Sequence, residues 1–280
     1  MNDLQLSKMI EQLLVARNLR HMEVARAALE PGYYLRAARL LQHINGTVII
    51  GTGFPVSGTF ETDGPVGAMA LYSALEALGA RPIIACGAPL AHALAPAYDV
   101  LQLKVSDLTA ARTAADAALR ELQPQAIVAI ESPGLAADGR YYNMVGEDIT
   151  AHCAPFDPFI SQAKCPTIAI GDGGNEIGMG KIEGAIAGLD IRASVTDCNE
   201  LLVADVSNWG AYGLIAFLAV WAEKDLWVNV NPEALLRFLS ERGSVDGLTR
   251  VNTLTEDGLH VAEGLEVIAQ LRQLTDISRR

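Results

Sequence analysis

Asp63, Glu131, Asp172, Glu176 and Asp197 are the residues of this chain whose types and surroundings best suit chemistry. Each stands in a short segment close behind a compact apolar run, in company with glycine, asparagine or threonine. Carboxylates drawn together cannot all stay charged unless a metal ion, an ammonium or an arginine shares the space. Oxygen ligands from Asp, Glu and Asn suit Mg²⁺ or Mn²⁺ rather than zinc. The expected catalytic groups are Asp172, Glu176, Asp63 and Glu131, and the candidate ligands of a divalent cation are Asp63, Asp172 and Glu176.

Two glycine-rich segments surround these acids: Gly51-Thr52-Gly53-Phe54-Pro55 running on to Thr62-Asp63-Gly64-Pro65, and Gly171-Asp172-Gly173-Gly174-Asn175-Glu176-Ile177-Gly178-Met179-Gly180. Small residues let a backbone approach a ligand closely, and free amides at a helix start suit an anion. Gly53, Thr62, Gly64, Gly173, Gly174, Asn175 and Asp197 are accordingly the expected substrate contacts. Familiar alternatives fail on spacing. Val56 stands where a GxGxxG fingerprint needs its third glycine, and no lysine completes a phosphate-binding loop. Ser57, Ser132 and Ser161 lack the Gly-x-Ser-x-Gly context of a hydrolase nucleophile. Cys86, Cys153, Cys165 and Cys198 form no CxxC pair, which fits neither a zinc site nor a disulfide framework; they read as small buried residues in a reducing compartment. His152, behind Glu147 and Asp148, is the histidine nearest a predicted ligand mouth.

The elements that must position these residues alternate. The short β-branched run at 47–50 reads as a strand buried on both faces, typical of parallel sheets; 82–86, 100–105, 126–130 and 167–170 read as further strands, with a last strand expected near 194–196. Helical spacing covers 3–17, 33–43, 65–78, 90–95, 108–122, 206–222, 232–242 and 257–274, and a further helix closes at Phe159 to Ala163. The expected fold class is therefore α/β, a three-layer, mostly parallel twisted sheet with helices on both faces and a helical C-terminal extension. With no linker or repeat, the chain reads as a single domain, 1–280: N-terminal helices at 1–45, a β/α core at 46–200 and C-terminal helices at 201–280. Ligands bind outside the carboxyl ends of such strands, where the glycine-rich loops fall.

Lys+Arg 21 against Asp+Glu 33 leaves a net charge of −12, and the densest basic stretches, Arg36 with Arg39 and Arg279-Arg280, are small. Nucleic acid and anionic membrane are excluded as expected partners. The longest apolar run, Trp209 to Trp221, falls short of the roughly 18 residues a membrane span needs and reads as a buried helix. The N-terminus carries early acids and an interrupted apolar pattern, unlike a signal peptide. A cytoplasmic protein with a small-molecule substrate is expected, its apolar C-terminal helices offering a surface for a homo-oligomer.

The two glycine-rich segments together with Ser207-Asn208-Trp209-Gly210 resemble the D-glutamate cyclase family, in particular the cyclase domain at the C-terminal end of mitochondrial animal enzymes and its stand-alone prokaryotic form. The resemblance implies dehydration of D-glutamate to 5-oxo-D-proline and water. That chemistry asks the site to neutralise the γ-carboxylate, deprotonate the amine and assist departure of an oxygen. A divalent cation held by Asp and Glu meets the first need. Helix starts after Gly64 and Asn175 are expected to bind the α-carboxylate, and Glu131 or Glu176 the ammonium. Another lyase or hydrolase of a small acidic metabolite, or a non-catalytic binder of an amino acid or nucleotide, is the alternative.

Overall fold

The computed structural model describes residues 1–276, so the terminal Arg279-Arg280 pair lies outside the described residues. Six parallel strands form its sheet: β1 (Thr47–Thr52), β2 (Arg81–Gly87), β3 (Val100–Leu103), β4 (Ala126–Ile130), β5 (Thr167–Gly171) and β6 (Glu200–Val203). Their spatial order is β3-β2-β1-β4-β5-β6. Every residue of β1, β4 and β5 is buried, which is why these strands read as unbroken apolar runs without alternation.

Helices in chain order are α1 (Asp3–Leu14), α2 (Met22–Ala28), α3 (Tyr33–Leu41), α4 (Pro65–Ala77), α5 (Leu90–Leu94), α6 (Leu108–Leu122), α7 (Asp157–Ser161), α8 (Glu183–Ile186), α9 (Ser207–Ala222), α10 (Pro232–Ser240) and α11 (Val261–Thr275). The chain leaves β1 toward β2 and leaves β4 toward β5, in opposite directions across the sheet. Right-handed connections then put α4 and α7 on opposite faces, giving three layers. Helix α9 packs on α4, α3, α1 and α11, and Ser207 through Ala219 are all buried. A helix enclosed on every side needs no polar face, so its sequence is apolar all round. No helix among the described residues is long and apolar enough to cross a membrane.

The last strand differs from its expected place. Residues 194–196 contribute only an isolated bridge, Ser194 to Ala136, and the edge strand is Glu200–Val203. Two short hairpins also escaped the periodic reading, Pro55–Val56 with Thr59–Phe60 and Thr255–Glu256 with Leu259–His260, as did α2. Elements of two to seven residues are too short to show a period.

Positioning follows from the register. Thr52 pairs with Ile130, and Ile130 with Ile170, so β1, β4 and β5 end level with one another. Strand order reverses between β1 and β4, and the loops leaving a reversal point splay apart to make a crevice. Asp63 and Glu131 stand on the loops that leave these two strands, and Asp172 directly follows β5 beside them.

Candidate active site

Two helix N-termini meet in the crevice and cap one another. Asp63 Oδ1 accepts the amides of Gly64 at 2.9 Å and Asn208 at 2.8 Å, and its Oδ2 accepts the Ser207 amide at 2.9 Å. In return Asn208 Oδ1 accepts the amides of Gly64 at 2.9 Å and Gly67 at 2.7 Å at the start of α4. The Asn208 Nδ2 donates to Glu256 Oε2 at 2.6 Å, whose Oε1 accepts the Trp209 indole at 2.8 Å. Gly64 sits at φ +88, and a Cβ there would stand 2.7 Å from both Thr52 Oγ1 and the Glu131 Cβ, so only glycine fits between β1 and β4. Asn208 is 0 % exposed, and its replacement by alanine leaves the Gly64 and Gly67 amides unpaired. Asn208→Ala is expected to cost about 2–4 kcal/mol of stability, read as a lower urea midpoint at unchanged slope.

Asp63, Glu131 and Asp172 are all buried, and one carboxylate oxygen from each lies within 4.8 Å of the other two. Ser207 joins them: its amide donates to Asp172 Oδ2 at 3.1 Å and its hydroxyl to Glu131 Oε2 at 2.6 Å. Arg20 enters from the turn between α1 and α2. Its Nη2 is 2.5 Å from Asp172 Oδ2 and 2.6 Å from Asp257 Oδ2, while its Nε donates to the Asp172 carbonyl at 2.9 Å. Burial works against the guanidinium charge, but the Asp172 and Asp257 carboxylates outweigh it and hold Arg20 well above its ordinary range.

One arginine does not balance this many acids. Burial, then the Asp257 charge, pushes Asp63 up to about 8. Glu131 is held well above the carboxylate range by burial, then by Glu176 and Asp63. Asp172 is raised well above it too, by burial that the Arg20 charge only partly offsets. Such a cluster holds protons or a cation at neutral pH. Its donor set, three carboxylates with oxygens in mutual reach, can hold a metal ion.

The 171–180 loop is zipped to the loop after β4. The Gly134 amide donates to the Asn175 carbonyl and the Ile177 amide to the Ser132 carbonyl, both at 2.9 Å, with a bridge between Pro133 and Glu176. Glu176, 1 % exposed, thereby lies beside Glu131. Asp63, Glu131, Asp172, Glu176 and Asn175 are thus brought to one place, with Gly173 and Gly174 in the loop that carries the last two.

Residues 10–272 match the family model described as D-glutamate cyclase-like, C-terminal. The chain belongs to this family. It is 36% identical over 213 residues to human mitochondrial D-glutamate cyclase, a stretch covering 66% of this chain and 34% of the human protein. The chain therefore spans about a third of that relative's length. Among solved structures, an exopolyphosphatase-related protein from Bacteroides fragilis is similar at 10% identity and a TM-score of 0.40, covering 89% of this chain and 60% of that one. A likeness that slight carries no functional weight.

In this member of the D-glutamate cyclase-like family several expected contacts lie elsewhere. Asp197 precedes β6 instead of following a strand, so it stands at the amino end of the sheet, its side chain 66% exposed and 3.8 Å from Lys181 Nζ. The Gly64 amide is committed to Asp63 and Asn208, and no α-helix starts behind Asn175, where a 3-10 turn follows at Met179–Ile182. Neither helix start is free to take an α-carboxylate. Thr62 donates its hydroxyl to the Thr255 carbonyl at 2.8 Å. Gly53 and His152 line a neighbouring cavity of about 30 Å³, with Ser132 and Phe156. Glu131, not Glu176, completes the metal-capable triad with Asp63 and Asp172.

Sequence reasoning missed Arg20, Glu61, Glu256 and Asp257, and assigned no role to Ser207 or Asn208 beyond their place in a motif. Glu61, buried beside this group, is held well above the carboxylate range by burial and then by Asp257 and Asp63. Ser207 and Asn208 had a local signal, two helix-capping residue types just before the most apolar run. Arg20 and Asp257 had none, being single charges in polar surroundings.

Proposed function

We propose that this chain dehydrates D-glutamate to 5-oxo-D-proline and water, as the human relative's name suggests, with Asp63, Glu131 and Asp172 at the reacting centre. The observation that carries the reading is a buried acidic triad at the strand-order reversal in a chain of this family. The reaction forms a bond between the amine nitrogen and the γ-carbon and breaks one γ-carbon–oxygen bond. The oxygen leaves as water, taking up the two protons that the substrate's ammonium gives up on becoming the lactam N–H. The γ-carboxylate is a poor electrophile because it is anionic, so the site must offset its charge.

The three carboxylates are hard oxygen donors, which fits Mg²⁺ or Mn²⁺. Bound there, the cation supplies a Lewis acid against the γ-carboxylate. The chain's own groups do the rest. Arg20 holds the Asp172 carboxylate in place. Ser207 bridges Asp172 and Glu131, fixing the rotamer of each. A buried carboxylate with a raised pKa is suited to hold a proton and deliver it to a departing oxygen. Free thiols at Cys86, Cys153, Cys165 and Cys198 suit a reducing cytoplasm, where this reading puts the protein.

Purified protein incubated with D-glutamate, with and without Mg²⁺ or Mn²⁺, is expected to form 5-oxo-D-proline, followed by chiral chromatography, with L-glutamate as the control. Product from the D-isomer alone supports the reading. Absence of product under every condition, in protein with an intact melting transition, overturns it.

A further inference from the structure

Glu176 and Asn175 each bury an oxygen that no described residue satisfies. Glu176 Oε2 accepts the Gly174 amide at 2.7 Å, but Oε1 has no partner. Asn175 Nδ2 donates to the Tyr142 carbonyl at 2.9 Å, while Oδ1 has none. Because that carbonyl can only accept, the Asn175 amide cannot be turned round, and its oxygen faces the other way. The two residues are 1 % and 2 % exposed, so neither oxygen is satisfied by bulk water.

Both oxygens converge on one point. A Cβ on Gly173 would stand 2.7 Å from Glu176 Oε1 and 3.1 Å from Asn175 Oδ1. A side chain at residue 173 would occupy the point on which both oxygens converge. The outer wall of this cradle is the Met144 thioether, which lies against the same point. Methionine is unbranched and adaptable, so Met144 can swing aside for an entering group. A buried acceptor left unmade is costly, and a ligand with several N–H donors returns that cost.

We propose that Glu176 Oε1 and Asn175 Oδ1 form the subsite that accepts the α-ammonium of the amino-acid substrate. The inference rests on the cyclase reading and separates the tasks of the two glutamates. Glu131 Oε2 is taken by the Ser207 hydroxyl and Glu131 belongs to the triad, whereas Glu176 keeps a free oxygen. The bridge from Pro133 to Glu176 holds the cradle next to the triad. An amine seated there lies beside the groups that engage the γ-carboxylate, the proximity a five-membered ring closure needs. An ammonium also matches the donor count, with three N–H groups for one carboxylate oxygen, one amide oxygen and a third acceptor.

The test compares D-glutamate with glutarate, the same dicarboxylate without an amine, by thermal-shift titration under one cation condition. Wild-type protein is expected to bind D-glutamate about 10- to 100-fold more tightly, the worth of a charge-assisted hydrogen-bonded contact. Glu176→Gln keeps an oxygen for the Gly174 amide and turns a donor toward the cradle. It is expected to remove that preference by weakening D-glutamate alone. Equal affinity for the two ligands in wild type overturns the proposal without any variant, as does an equal loss of both in Glu176→Gln. Turnover by wild type, read in the same preparation, judges the cyclase reading separately. Preference without product removes the reaction and keeps the subsite; product without preference removes the subsite and keeps the reaction.

Discussion

Asp172→Asn is expected to lower D-glutamate turnover by about a thousandfold or more, the scale of losing a group that stabilises transition-state charge, while leaving the fold intact. The two side chains have the same shape, so the new amide oxygen can still accept the Ser207 amide now held by Asp172 Oδ2. Arg20 keeps its 2.6 Å ion pair with Asp257 and its bond to the main-chain carbonyl of residue 172. Loss of one of several crowded buried carboxylates also relieves repulsion from Glu131, Asp257 and Asp63. What disappears is the negative charge that, with Asp63 and Glu131, is able to hold a cation, and the anion that fixes Arg20 against the triad. Product formation and the melting transition, measured on the same preparation, check both halves. Near-normal turnover in Asp172→Asn removes Asp172 from the reacting centre.

The second large effect is a coupling of pH, stability and cation binding. In the folded chain burial pushes Asp63 up to about 8 and Glu256 up to about 7, against ordinary values of 3.8 and 4.5. A carboxyl with a raised folded pKa contributes stability that is fully present below its unfolded pKa. Above that value the unfolded chain ionises first, so the contribution drains away until pH passes the folded value. Cation-free protein should therefore lose stability from about pH 4 to about pH 8, at up to about 1.4 kcal/mol per pH unit for each such group. Urea unfolding in a chelator at several pH values measures this directly. A cation reverses the sign, because its ligands must give up their protons to bind it. Uptake of Mg²⁺ or Mn²⁺ below about pH 8 should release protons, and affinity should rise about tenfold per pH unit for each proton released. Calorimetry in two buffers of different ionisation enthalpy counts those protons. Stability that is flat or rising across this range in chelator, with no proton release on adding either ion, removes the cation from the site.

Much of this architecture was legible before any coordinates. Val48-Ile49-Ile50, Ile127-Val128 and Ile168-Ala169-Ile170 announce strands covered on both faces, because only a doubly covered parallel strand excludes polar residues so completely. The run from Trp209 to Trp221 announces an enclosed helix for the same reason. The rule that ligands sit beyond strand carboxyl ends then picks out Asp63, Glu131, Asp172 and Glu176 from loop position alone. The edge strand was misplaced by a few residues, and Asp197, which precedes β6, went to the wrong end of the sheet with it.

Local chemistry thus determined the strands, the central helices, the acidic loops and the family. Tertiary structure alone decided how the charges are matched. Arg20 reaches Asp172 across 152 residues and Asp257 across 237, and Asn208 caps a helix 141 residues earlier in the chain. Sequence patterns report burial and helix starts because those depend on neighbours a few residues away. They do not report which distant side chain fills a helix N-terminus or offsets a buried carboxylate. That choice is made when the sheet brings the ends of β1, β4 and β5 level, and desolvation leaves each charge to find its partner there.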